Sequence, residues 1–120
     1  IDAWQEEIIN GVQMDIHRAQ FMEYLLTAML NHRQINDSGA AEFLSKAADE
    51  LQQGQALMDT MRTLTWDPEG ERLFTEGANS TIYQFGYLHR ASDLCYWQRE
   101  YIQATNAIVG SNDAPPGCGL

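Results

Sequence analysis

Lysine is almost missing from this chain: Lys46 is the only one among 120 residues, beside six arginines and seventeen acidic residues. The shortage of positive charge leaves a formal net charge of −10. Such a balance repels phosphate backbones, so nucleic-acid binding is not expected, and it suits a well-solvated surface or a basic protein partner. Long apolar runs are missing too. None approaches the ~20 residues that span a bilayer, and no secretory leader pattern is visible. Cysteine occurs twice, at Cys95 and Cys118, too sparse for a disulfide framework. Cys-x-x-Cys, Glu-x-x-His and His-Glu-x-x-His are all absent, which removes the zinc, covalent-haem and carboxylate-bridged di-iron signals. No cofactor is expected.

What is present is helical periodicity. Residues seven apart lie nearly above one another on a helix, so apolar rows with that spacing mark packing seams. In the segment 80–109, Tyr87, Leu94, Tyr101 and Ile108 make one row and Leu88, Cys95, Ile102 and Val109 the next. They predict one continuous helix whose seam faces partner helices. A first helix is predicted over about 2–32. Its seam rows are Ile9, Ile16 and Leu30; Ile8, Met22 and Met29; and Val12, Ala19 and Leu26, with Glu23 and Asp15 edging in. Asn10-Gly11 is a candidate kink, since Gly costs about 1 kcal/mol inside a helix. A further row, Met14, Phe21, Leu25 and Ala28, falls off that seam. Apolar side chains on so much of the circumference place the segment at the centre of the bundle or against another chain; the second is preferred, and Met14, Phe21 and Leu25 are assigned to self-association.

A helix over 39–63 is expected to open at Ser38 or Asp37 and to pack through Phe43, Leu44, Ala47, Ala48, Leu51, Leu57, Met58 and Met61. Gly54 falls on the same side and predicts close backbone approach by a neighbour. Asp67-Pro68 starts a short helix over 68–75, because Pro fits the first helical position. Gly110 is a C-terminal stop, and Pro115-Pro116-Gly117 belong to an irregular tail. The expected architecture is therefore all-α: an antiparallel up-down-up bundle of three long helices with one short crossover helix. Residues 1–110 form the bundle and 111–120 the tail.

Chemistry is thinly signalled. His89 and Asp93, four apart on one helical face, are the candidate metal ligands, with Glu23, Asp15, His17 or His32 to complete a site. Two helical side chains of this kind more commonly hydrogen-bond each other. Nothing places a base beside Cys95 or Ser92, so catalysis is not expected. Tyr83, Tyr96, Trp97, Arg90 and Arg99 combine large rigid rings with arginine, the composition of an interface hot spot. Trp97 stands between charged neighbours, which argues for an exposed ring and a partner surface. The expected function is a non-enzymatic, acidic helical-bundle protein that binds another protein, as an inhibitor, immunity, adaptor or assembly subunit does. A structural subunit of a larger homo- or hetero-oligomeric particle, and a small-ligand or metal-binding bundle with a cavity near Glu23 and His89, are the alternatives. Geometry permits a bridge between Cys95 and Cys118 if the tail folds back along the helix. The even cysteine count and the start at Ile1 favour an extracytoplasmic compartment, periplasmic or secreted, where such a bridge persists.

Overall fold

A computed structural model describes residues 3–62 and 94–118. Among these, the chain is all-helical, with α1 (Ala3–Arg33), α2 (Asp37–Arg62) and α3 (Cys95–Val109) and no strand. The expected short helix at 68–75 lies outside the described residues, as do positions 80–93. The expectation of one helix continuous from 80 to 109 is corrected at Leu94. Its backbone (φ −103°, ψ 52°) is not helical, and it caps a third helix of only 15 residues. The Leu94 side chain is fully buried and directed at Gly54 of α2, so the residue before the helix acts as a core anchor.

At 31 residues, α1 is about 46 Å long at 1.5 Å per residue, and it runs unbroken through Asn10 and Gly11. It ends in a hydrogen-bonded reversal. The Asn36 N–H donates to the Asn31 carbonyl (2.8 Å) and the Ile35 N–H to that of His32 (3.0 Å). These two bonds define a Schellman motif with Ile35 in the left-handed position (φ 59°), where glycine is usual. Asn36 then caps α2, its Oδ1 accepting from the Gly39 N–H at 3.1 Å. The cap is therefore not Ser38 or Asp37: the tight reversal carries the chain into helix at residue 37, earlier than the apolar pattern begins. Asp37 stands in the first turn, where its charge suits the helix dipole.

A three-residue link makes α1 and α2 antiparallel neighbours, as the pairs His17–Glu50 and Tyr24–Phe43 show. The buried core comprises Met14, Phe21, Leu25 and Ala28 from α1, and Leu44, Ala47 and Met58 from α2. Leu94, Trp97 and Ala104 complete it from the third segment. Tyr101 and Ile108 pack at its edge, so 94, 97, 101, 104 and 108 form the inward heptad row of α3. Fully burying a large apolar side chain contributes roughly 1.5–3 kcal/mol, so Trp97, Phe21, Met14, Met58 and Leu94 dominate the packing.

The two apolar faces of α1 are exchanged relative to expectation. The row assigned to self-association, Met14, Phe21 and Leu25, is the intramolecular core. Most of the rows assigned to the seam stand in water: Ile9, Val12, Ile16, Leu26, Met29 and Leu30 are each between 38% and 58% exposed, while Met22 packs at the edge of the core. Periodicity marks both faces alike. The physical difference is that α2 turns small buried residues, Ala40, Ala47 and Gly54, toward the inner side, while the outer rows carry Glu23 in their midst.

Candidate functional site

Three constructions in this fold have functional bearing: a clamp around Trp97, a buried polar pair between α1 and α2, and the outer face of α1. Trp97 stacks on Phe21 with ring centroids 5.5 Å apart, and its six-membered ring lies against Gly54. A Cβ at position 54 would meet Leu94 Cδ1 and Trp97 Cζ3 at 3.0 Å, so glycine there admits the indole; the neighbour expected to approach through its backbone approaches through side chains. The guanidinium of Arg18 lies 5.5 Å from the Trp97 ring and donates through Nη2 to Glu100 Oε1 at 3.0 Å. Glu100, one turn of helix from Trp97, thus belongs to an intramolecular clamp. Trp97 is fully buried, which corrects its assignment to an exposed partner surface.

The other hot-spot candidates divide. Arg99 donates from Nη1 to the Pro116 carbonyl at 2.7 Å and so holds the tail. Tyr96 is partly buried against the core. Arg90 and Tyr83 lie outside the described residues, and so do the proposed ligands His89 and Asp93. Among the described residues no group of three His, Cys, Asp or Glu side chains converges as a metal site. No helix among them is long and apolar enough to cross a membrane.

Cys95 and Cys118 form the bridge that chain geometry permitted, with Cα atoms 5.6 Å apart. The tail reaches it by running back along α3. Asn106 accepts from the Ser111 hydroxyl (2.7 Å) and the Asp113 N–H (3.1 Å), and donates to the Asp113 carbonyl at 2.8 Å. Asn106, Arg99 and Cys95 thus hold residues 111–113, 116 and 118 in order. Cys95 lies beside the inward row and not on it, so the tail displaces no core side chain. A disulfide is compatible with an extracytoplasmic protein.

Glu50 is only 8% exposed. Its carboxylate is met by His17 Nδ1 at 2.7 Å from Oε2. In the amide orientation that satisfies both groups, Gln20 Nε2 also donates to Oε1 (2.8 Å) and Oε2 (3.2 Å). A buried carboxylate persists only when hydrogen-bonded, and this pair fixes the register of α1 on α2. The His17–Glu50 pair was not foreseen from the sequence, since positions 33 apart carry no local signal.

The outer face of α1 is the remaining feature. Ile9, Val12, Ile16, Ala19, Glu23, Leu26 and Leu30 follow the alternating three- and four-residue spacing of a coiled-coil seam. All seven are exposed. The chain matches no family model, no curated protein and no solved structure.

Proposed function

We propose that this chain is a non-enzymatic, acidic helical protein that works by binding protein, and that the outer face of α1 is the docking surface. One observation carries the reading: a heptad-spaced, exposed stripe, apolar except at Glu23 and spanning three heptads from Ile9 to Leu30, on the outside of the longest helix among the described residues. Isolated exposed leucines are ordinary, but an ordered stripe is costly in water and fits an apolar helix face of a partner. The inhibitor, adaptor or assembly-subunit roles share this requirement, as does a subunit of a larger particle. The strong negative charge supplies solubility to the free chain and discourages contact with other acidic surfaces.

The test uses two neighbouring residues that face opposite ways, Leu25 (4% exposed) and Leu26 (58% exposed). Thiol labelling of Leu26→Cys in dilute native protein should proceed at the rate of an unfolded thiol, while Leu25→Cys should be strongly protected. Protection of both in the dilute chain means that α1 has no free face, and the docking reading fails.

A further inference from the structure

We propose that the occupant of the outer face of α1 is a second copy of this chain, paired antiparallel. In this arrangement Val12 lies against Leu30, Ile16 against Leu26 and Ala19 against Glu23 of the second copy. The inference rests on the docking reading above and names its partner.

The stripe itself selects the orientation. With Ile9, Ile16, Glu23 and Leu30 at one heptad position and Val12, Ala19, Leu26 and Arg33 at the other, two helices interlock in one of two ways. Parallel pairing in register places Glu23 directly beside Glu23 of the second copy. Two like charges in the middle of an apolar seam are unfavourable by like-charge repulsion and by desolvation. Antiparallel pairing places each position against the other kind. In the register that sets Ile16 against Leu26, Glu23 falls opposite Ala19, the smallest residue of the stripe. The short methyl leaves the carboxylate room to bend toward solvent. Val12–Leu30 and Ile16–Leu26 each occur twice by symmetry, so four apolar layers flank the two Ala19–Glu23 layers.

The residues flanking the seam agree. In the antiparallel pair, Met22 of one copy borders Met22 of the other, Gln13 borders Thr27, and Asp15 borders Met29. No like-charge pair arises. Each contact occurs twice about the two-fold axis, so one patch pairs with itself and the dimer closes. Its area is adequate. The six large apolar side chains, at 38–58% exposure, leave on the order of 500 Å² per copy, or about 1,000 Å² buried in all, which reaches the threshold for a specific interface.

Charge predicts how the dimer behaves. Each copy carries −10, so association brings two strongly acidic chains together and is opposed by long-range repulsion. Raising salt from about 0.01 M to 0.15 M shortens the screening length from ~30 Å to ~8 Å and should tighten the dimer.

The experiment combines light scattering with cysteine cross-linking on the full, disulfide-intact chain. Wild type should show a concentration-dependent dimer, strengthened by salt, and Ile16→Glu should be monomeric with unchanged helicity. Under mild oxidation, Val12→Cys mixed with Leu30→Cys should give a mixed disulfide dimer, and Val12→Cys alone should give little. In the antiparallel register the two Val12 positions are 18 residues, about 27 Å, apart along the helices. A strong Val12→Cys homodimer overturns the antiparallel arrangement. A monomer at several hundred micromolar whose Leu26→Cys thiol labels freely overturns the second copy as partner and leaves the docking surface open to another protein. A monomer in which that thiol is protected overturns both.

Discussion

Replacing Trp97 tests the clamp, and Gly54 gives the test a sign. Trp97→Ala removes the largest buried side chain, its stacking on Phe21 and the surface over which Arg18 lies. A Trp→Ala truncation in a core costs about 3–5 kcal/mol, a large part of the 5–15 kcal/mol typical of a domain. That loss alone shows burial, not contact with Gly54. Gly54→Ala supplies the contact. In an open helix the change gains about 1 kcal/mol, because Ala is the better helix former. Here the new Cβ meets Trp97 Cζ3 and Leu94 Cδ1 at 3.0 Å, and overpacking of this kind costs about 1–3 kcal/mol. In the wild-type background Gly54→Ala should therefore destabilise. In the Trp97→Ala background the indole is gone and Leu94 Cδ1, the remaining contact, has vacated space to move into, so the same change should be neutral or stabilising. Urea unfolding followed by circular dichroism, with all four proteins compared, gives the coupling as a difference of about 1–2 kcal/mol. An equal effect of Gly54→Ala in both backgrounds refutes the contact and with it the placement of α3 on α2.

Two further outcomes follow from the backbone. The Cys95–Cys118 bridge closes a loop of 24 residues counting both ends, from a sequence separation of 23. Replacing both cysteines by serine should cost about 3 kcal/mol on the loop-entropy estimate, read as a lower urea midpoint, and a change below 1 kcal/mol would show that the tail contributes no constraint. Ile35→Gly should stabilise the α1–α2 hairpin by about 1 kcal/mol, because a β-branched residue at φ 59° is strained and glycine is not. A lower melting temperature for this variant contradicts the Schellman geometry.

Much of the fold could be read from the residues, and the failures have one physical origin. Apolar spacing located α1 and α2, glycine the stop at Gly110, and chain length the reach that permits the disulfide. All of these depend on local geometry or chain length. Spacing could not rank two apolar faces of one helix, since Ile16 and Phe21 are equally apolar and each belongs to a regular row. The choice is made by the partner helix, whose Gly54 leaves room for Trp97, the ring on which Phe21 stacks. The burial of Trp97 is hidden from the sequence for a related reason. Its charged neighbours suggested water, whereas Arg18, distant in sequence, spans the ring to reach Glu100. Arg99 was read as a hot-spot arginine and instead holds Pro116, a contact that exists only because the tail turns back. Glu50 likewise became a buried carboxylate only through His17 and Gln20 on the other helix.

The central claim is that α1 keeps Phe21 inside and Ile16 outside, and paired truncations test it most directly. Urea unfolding of Phe21→Ala and Ile16→Ala should be measured at submicromolar concentration, where association does not contribute. Phe21 is fully buried and Ile16 is 51% exposed. Phe21→Ala should lose about 3–5 kcal/mol and Ile16→Ala less than about 1 kcal/mol. Equal losses, or a larger loss at Ile16, would contradict the account.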